Sequence, residues 1–249
     1  MSELRRVVVS VPGDGIEEAR ALFLELHPEG FEEADGGLVA YTDAAGEERL
    51  RTAFEHVSSE SVEPGWEDRW RDFHRPVWVG PLWIGPPWEQ PPAEATAVVI
   101  DPGRAFGTGA HPTTQLCLAF LLDLERGSLI DVGCGSGVLS VAAATLGFEP
   151  VIALDHDSAA VEAAKRNAAA NDVEVDVRIG DALVDELPRA DVGLANIDLG
   201  AVTALGARLD VTRLVTAGYF HSRMPELPAY SHLERRIDGG WAADLFERQ

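Results

Sequence analysis

The sequence contains few residues of the kinds that mark several protein classes. It has two cysteines, Cys117 and Cys134, and a single lysine, Lys165. Two cysteines outside any metal-type cluster argue against a disulfide framework and a zinc site, so we expect reduced thiols and no bound metal. No apolar run reaches the roughly 18 residues that suggest a membrane helix. The N-terminal residues lack the apolar core of a signal peptide, and we therefore expect a cytoplasmic protein.

Basic residues are also scarce, at 20 against 42 acidic residues, for a net charge of −22. We find no basic patch to bind phosphates, so direct nucleic-acid binding is not expected. A basic protein would be attracted to such a surface. An acidic surface that serves only solubility explains the charge equally well.

The length of 249 residues allows one large domain and one small one. Hydrophobic periodicity over residues 1–60 predicts the order β-α-β-β-α-β, which is typical of a ferredoxin-like α+β domain. The predicted elements are strands Arg5–Val11, Phe31–Ala34, Gly37–Tyr41 and Ser58–Val62, and helices Ile16–Leu26 and Glu47–Phe54. This segment holds 14 acids and 5 bases, so it carries a large part of the negative charge.

Residues 61–92 have a different composition. They contain five of the six tryptophans and seven of the 15 prolines. Proline stiffens the backbone and tryptophan buries large areas, whereas flexible linkers are rich in glycine and serine. We interpret this segment as a stiff, packed connector, in preference to an aromatic ligand-binding box.

From residue 93 to residue 249, short apolar strands alternate with helices, which indicates a parallel sheet. The predicted strands are Ala97–Ile100, Leu129–Val132, Val151–Leu154, Val175–Ile179, Val192–Ala195 and Leu214–Ala217. The predicted helices are Gln115–Leu124, Val138–Leu146, Ser158–Asn171 and Ala201–Leu209. Two further strands, Leu233–Ile237 and Trp241–Phe246, would close the sheet as an antiparallel pair. That combination is typical of the Rossmann-like class I methyltransferases.

A glycine-rich loop, Asp131–Gly137, follows one of the buried strands. Glycines let a ligand approach the backbone, and the start of the next helix offers unpaired N–H groups. A dinucleotide fingerprint reads G-x-G-x-x-G, but Val138 occupies its last position, so this loop reads G-x-G-x-G. Asp131 could meet the amino group of S-adenosylmethionine, whereas it would repel a pyrophosphate. A loop that only makes a tight turn is the alternative.

Three further aspartates follow predicted strands. Asp155 ends the strand after the glycine loop, 22 residues beyond Gly133, where a carboxylate can accept both ribose hydroxyls. We interpret Asp157 as a helix cap. Asp181 is placed to reach an adenine amino group, although a turn aspartate is an almost equally good interpretation.

The run Asp101–Thr114 fits no regular element, because three glycines surround Phe106 and Pro112 suits a first helical turn. The hydroxyl of Thr113 or Thr114 could then satisfy helix N–H groups or bind a ligand carboxylate. This run resembles a loop of the PrmA family, the methyltransferases of ribosomal protein eleven of the large subunit. The resemblance covers about residues 60–200, with further matches at Trp66–Trp88, Asp131–Gly137, Asn167–Asn171 and Ala195–Ile197.

The resemblance implies an S-adenosylmethionine site. It assigns cofactor binding to Thr114, Gly133, Asp155 and Asn196, and we add Phe106, Asp131 and Gly135 from the same loops. It implies residues 1–60 as a substrate-recognition domain and residues 93–249 as the methyltransferase domain. The departures from the family include Ala110, Asp198 and the run Ala217–Phe220, so the C-terminal segment is divergent.

The implied activity is methyl transfer to lysine ε-amino groups, and possibly an N-terminal α-amine, of a large-subunit ribosomal protein. Asn196 is the candidate catalytic residue, because its side-chain or backbone carbonyl could orient the amine. Asp198 is close enough in sequence to act as a base, but we prefer a helix cap. Two alternatives stay open: the same chemistry on another protein, and a non-catalytic protein that binds a nucleotide-like ligand. An NAD-dependent oxidoreductase is disfavoured by Val138.

Overall fold

The structure, a computed structural model, describes residues 5–11, 19–20, 22–23, 26–27, 31–34, 37–61, 74–101 and 108–249. The chain divides into two compact units, Met1–Phe73 and His74–Gln249. Each unit has a hydrophobic core of its own. No helix among the described residues is long and apolar enough to cross a membrane.

In the first unit, the described residues form an antiparallel sheet and a helix. The strands are β1 (Arg5–Ser10), β2 (Glu32–Ala34), β3 (Gly37–Thr42) and β4 (Val57–Ser61), and helix α1 spans Ala44–Ala53. They pair in the order β2-β3-β1-β4. This arrangement agrees with the predicted ferredoxin-like fold. Of the predicted first helix, residues 19–20, 22–23 and 26 are helical, and its other residues lie outside those described.

The second unit begins with a small sheet of β5 (Val77–Val79), β6 (Leu82–Gly85) and β7 (Thr96–Val99). Strand β6 pairs antiparallel with β5 and parallel with β7. Both β5 and β6 lie inside the segment that the sequence predicts as a stiff connector, and Trp83 on β6 is buried. The role of that segment as a connector stays a prediction.

The main sheet has seven strands in the order β10-β9-β8-β11-β12-β14-β13. These are β8 (Leu129–Val132), β9 (Val151–Asp155), β10 (Asp176–Ile179), β11 (Ala190–Asn196), β12 (Val211–Phe220), β13 (Tyr230–Asp238) and β14 (Trp241–Arg248). The helices are α2 (Pro112–Asp123), α3 (Val138–Thr145), α4 (Ser158–Ala170) and α5 (Leu199–Leu205). Strands β8 to β12 run parallel, and β14 is antiparallel to β12 and β13. The predicted Rossmann-like class I methyltransferase sheet is therefore confirmed.

The strand order places a crevice at the carboxyl edge of this sheet. From β8 the chain moves outward to β9 and β10, and it then returns to the other side of β8 with β11. Such a reversal leaves an opening between the connections that leave β8 and β11, where ligands of open α/β sheets bind. The ends of β8, β9 and β11 are thus the positions where functional side chains are expected.

A buried carboxylate ties the antiparallel end of the sheet together. Asp244 on β14 has no exposed surface. It accepts hydrogen bonds from Nε and Nη2 of Arg235, both at 2.8 Å, and from the Tyr219 hydroxyl at 2.8 Å. Nε2 of His232 lies 2.7 Å from Oδ1 of Asp244. These contacts join β12, β13 and β14 through one charged group.

We expect Asp244→Asn to destabilise the protein by about 3 kcal/mol, because it leaves the partly buried Arg235 guanidinium without its charged partner. Urea unfolding measures the change. Asp238→Asn is the matched control on the same hairpin, since Asp238 is exposed and its loss should cost less than about 0.5 kcal/mol. Equal losses for the two variants would show that the Asp244 contacts do not stabilise the fold.

Candidate active site

The loop between β8 and α3 brings main-chain atoms to the carboxyl edge of the sheet. Gly133, Gly135 and Gly137 have φ angles of +71°, +55° and +79°, which favour glycine over other residues. The Gly133 N–H donates to the Leu154 carbonyl on β9 at 2.8 Å. Helix α3 begins after Gly137, which has no side chain to cap it. A helix start of this kind is suited to an anionic group of a ligand.

Asp155, at the end of β9, is locked against this loop. Its Oδ2 accepts the Gly135 N–H at 2.9 Å, and its Oδ1 accepts the Asp157 N–H at 3.0 Å. The side chain is mostly buried, with 8% of the residue exposed. Each carboxylate oxygen has a second lone pair, so the group keeps the capacity to accept hydroxyl donors from a ligand.

Asp131, at the end of β8, is buried beneath the loop, with 1% of the residue exposed. The Ser140 hydroxyl on α3 donates a short hydrogen bond to its Oδ2. The pKa of Asp131 is raised from 3.8 to about 7, chiefly by burial; the Ser140 hydrogen bond lowers it and the nearby Asp155 carboxylate raises it, and both effects are smaller than that of burial. A cation bound beside Asp131 would favour its charged form.

Asn196 and Thr114 meet on the other side of β8. Asn196 ends β11, and its Nδ2 donates to Thr114 Oγ1 over a long distance of 3.4 Å. Thr114 lies in the first turn of α2 and is buried. In this orientation the Asn196 Oδ1 is left to accept a hydrogen bond from another donor.

The first turn of α2 is capped by a histidine. Pro112 lies in this turn, as predicted. The helix N–H group of Thr113 is accepted by His111 Nδ1 at 3.3 Å, and not by a threonine hydroxyl. Burial lowers the pKa of His111 from 6.5 to about 4, so its ring is neutral at pH 7 and can accept. The ring also lies edge-on to Trp241, with 4.8 Å between ring centroids. His111 therefore contacts Thr113, whereas the Thr114 hydroxyl contacts Asn196.

The other aspartates near the edge have local structural partners. Asp157 caps α4, and Asp198 caps α5 through the N–H groups of Gly200 and Ala201. The preferred interpretation of both as caps is confirmed. Asp181 accepts the Leu183 N–H at 2.8 Å, as a turn aspartate does. Among the described residues, no group of three or more metal-ligating side chains could hold a metal ion.

The predicted site residues form two groups at one edge of the sheet, on either side of β8. The first group surrounds the glycine loop, and the second lies at the end of β11 and the start of α2. The first contains Asp131, Gly133, Gly135 and Asp155, and the second contains Thr114 and Asn196. Phe106 lies outside the described residues. Their assignment to cofactor binding stays a prediction.

A sequence profile described as ribosomal protein L11 methyltransferase (PrmA) matches residues 29–222. The chain belongs to this family. A relative of that name from Thermoanaerobacter pseudethanolicus is 34% identical over 212 residues, which are 79% of this chain and 69% of the relative. One from Legionella pneumophila is 37% identical over 209 residues, 77% of this chain and 71% of the relative. A Shewanella relative (strain ANA-3) is 43% identical over 172 residues, 66% of this chain but only 58% of its own length.

A solved structure supports the same family. A crystal structure titled ribosomal protein L11 methylase, from Lactobacillus delbrueckii subsp. bulgaricus, is 26% identical with a TM-score of 0.63. It matches over all of its own chain and 71% of this one. Membership of the L11 methyltransferase family and the predicted enzyme class, a protein methyltransferase, are confirmed. The family match ends at residue 222, so β13 and β14 lie beyond it.

Two asparagines, buried Asn167 in α4 and partly buried Asn171 at its C-cap, support the site, and neither was predicted from the sequence to have a role. Asn167 donates from Nδ2 to the Ser136 carbonyl in the glycine loop at 2.8 Å, and its Oδ1 accepts the Asp101 N–H at 3.0 Å. Asn171, one turn later, exchanges two hydrogen bonds of 2.7 Å with the Val99 main chain. Asn167 thus anchors the start of the 101–114 run to the glycine loop, and Asn171 anchors β7 to the end of α4. The sequence did hold a signal for them: two asparagines four residues apart in an alanine-rich helical segment lie on the same face of the helix.

The raised pKa of Asp131 predicts how stability changes with pH. The folded protein binds this proton more tightly than the unfolded chain, so the contribution is full below pH 3.8 and is lost as the pH rises toward 7. The stability of the wild type relative to Asp131→Asn should therefore fall by up to about 1.4 kcal/mol per pH unit over this range. Urea unfolding between pH 4 and 8 measures it, with the exposed Glu125→Gln as control. A pH-independent difference between the wild type and Asp131→Asn would contradict the assignment.

Proposed function

We propose that this protein transfers methyl groups from S-adenosylmethionine to lysine ε-amino groups of ribosomal protein L11, in the cytoplasm. One observation carries the proposal: a glycine loop locked to Asp155 and an Asn196–Thr114 pair lie on either side of β8 at the sheet edge. Its relatives are named for that substrate. The first group suits a cofactor; in the second group, Thr114 suits the cofactor and Asn196 suits an amine.

The residues of the first group fit S-adenosylmethionine. A Cβ at Gly133 would lie 2.4 Å from Ile197 Cγ2, so only glycine allows the loop to pack this closely against Ile197. Asp155 has lone pairs for the ribose hydroxyls. Asp131 has a carboxylate for the ligand's amino group, and it would oppose the pyrophosphate of a dinucleotide. We therefore assign cofactor binding to Gly133, Gly135, Asp131 and Asp155, with Thr114 and Phe106 on the side of the 101–114 run.

The residues of the second group orient the acceptor. When bound, S-adenosylmethionine supplies an activated methyl group, so the protein's task is alignment and exclusion of water. Thr114 holds the Asn196 amide by its nitrogen, and the free Oδ1 accepts an N–H of the incoming amine. That contact aims the nitrogen lone pair along the line of attack. We assign no side chain as general base, because Asp198 caps α5 through its Oδ1. The amine enters in its neutral form.

The charge of the protein suits a basic substrate. The full chain carries a net charge of −22, and residues 1–60 contribute 14 acids against 5 bases. A surface of this sign attracts a basic protein and repels nucleic-acid phosphates. We therefore propose the ferredoxin-like unit as the element that recognises the substrate, and the second unit as the one that binds the cofactor.

A methylation assay tests the proposal. The protein is incubated with isotope-labelled S-adenosylmethionine and unmethylated ribosomal proteins, and mass spectrometry locates the label. We expect labelled lysines in L11. Label found only on another protein would show that this other protein, and not L11, is the substrate. Binding of S-adenosylhomocysteine without any methyl transfer would indicate a non-catalytic ligand-binding protein. Tight binding of NADH with no binding of S-adenosylhomocysteine would show that the assignment of S-adenosylmethionine as cofactor is wrong.

Two substitutions should separate binding from transfer. Asp155→Ala should weaken S-adenosylhomocysteine binding by about tenfold or more, because it removes hydrogen bonds to a charged acceptor. Asn196→Ala should leave that affinity within about threefold but lower kcat by roughly a hundredfold, because it misaligns the amine. Calorimetry and steady-state kinetics measure the two effects, with the exposed Glu174→Ala as control. If both variants lost affinity equally, Asn196 would belong to the cofactor site alone.

A further inference from the structure

The side chain of Asn196 is held loosely for a residue that must aim a reacting amine. Among the described residues, its amide has one hydrogen bond, of 3.4 Å, to Thr114. The residue is only partly buried. Because a side-chain contact of this length restrains the amide weakly, the position of Asn196 depends on the main chain at its own end of β11.

On one side, that main chain is fixed by a glycine of β12. The Ile197 N–H donates to the Ala217 carbonyl at 3.1 Å. The next residue, Gly218, has a φ of +102° and marks a shift in the β12–β14 register. A Cβ at Gly218 would lie 2.1 Å from the Ile197 carbonyl oxygen and 2.7 Å from its carbonyl carbon. A residue larger than glycine would therefore displace the Asn196–Ile197 turn.

On the other side, the Ile197 side chain touches the cofactor loop. Its Cγ2 lies 2.4 Å from where a Cβ of Gly133 would be. The side chain also packs against the hydrophobic cluster beneath α5. Ile197 is thus wedged between Gly133 in the β8 loop and Gly218 in β12, with Asn196 directly before it.

We propose that Ile197 is a positioning residue that sets the distance between Asn196 and the cofactor loop. The inference rests on the proposed function, in which Asn196 orients the amine. Gly218 fixes the Ile197 backbone and Gly133 receives its side chain, so the methyl donor and the amine are placed by one rigid contact. Alignment of this kind matters because a displacement of about 1 Å can cost a hundredfold in rate.

The first test compares two glycines with similar backbone conformations. Gly218→Ala and Gly240→Ala both put alanine at positive φ, but a Cβ at Gly240 meets nothing within 4 Å. Gly218→Ala should lower kcat for the ribosomal protein by about a hundredfold, while S-adenosylhomocysteine affinity changes less than about threefold. Gly240→Ala should retain both. Equal kcat for the two variants would overturn the proposal.

The second test does not require Gly218→Ala to fold. Ile197→Leu removes the methyl group on Cβ with little change in volume. In the wild type it should lower kcat by about threefold, because the wedge loosens. In a Gly133→Ala background it should raise kcat, because it relieves the clash. The same fractional decrease in kcat in both backgrounds would show that the contact between Ile197 and Gly133 does not position Asn196.

These outcomes are distinct from a failure of the proposed function. If the wild type transfers no methyl group to any ribosomal protein, the proposed function is wrong, and the positioning role of Ile197 is overturned with it. If the wild type is active and Ile197→Leu has the same effect with and without Gly133→Ala, the proposed function stands and the positioning role is wrong.

Discussion

Three main-chain segments have to meet at the carboxyl edge of the main sheet, and steric exclusion decides how closely they do so. The turn after β8, the turn after β11 and the bulge in β12 approach each other at Gly133, Ile197 and Gly218. Each of the two glycines would collide with Ile197 if it carried a Cβ. The absence of two side chains therefore permits the packing that brings the glycine loop and Asn196 together. Hydrogen bonds add direction to this contact, but the close approach comes first.

Polar groups then hold the loops in place from beneath. Asp155 fixes the glycine loop through a main-chain N–H, and Asn167 fixes the same loop to the start of the 101–114 run. These partners are buried, so each lost contact would leave an unsatisfied polar group. The contacts come from β9 and α4, elements that are themselves packed into the core. The site thus inherits its rigidity from the sheet and helices around it.

Features that depend on neighbouring residues were predictable from the sequence. The glycine loop, the caps Asp157 and Asp198, and the place of Pro112 follow from local backbone chemistry, and the structure agrees with them. Strand β12 is longer than the predicted Leu214–Ala217, since pairing with β14 extends its hydrogen-bonded ladder to Phe220. Asn171 is bonded to Val99, 72 residues away, and no local pattern identifies such a partner. Gly218 lies one residue beyond the predicted strand, so its place inside β12 and its contact with Ile197 emerged only from the pairing of β12 with β11 and β14.

The buried carboxylate of Asp131 would have a consequence for the proposed binding of a charged ligand beside it. With a pKa of about 7, the group is only partly ionised at neutral pH. A cation that binds beside it lowers that pKa, so the carboxyl group releases part of a proton to the solvent as the ligand enters. Ligand uptake and proton release are then one coupled equilibrium, and the heat of binding would depend on the ionisation enthalpy of the buffer. A single desolvated aspartate would make the loading of the site sensitive to the pH around it.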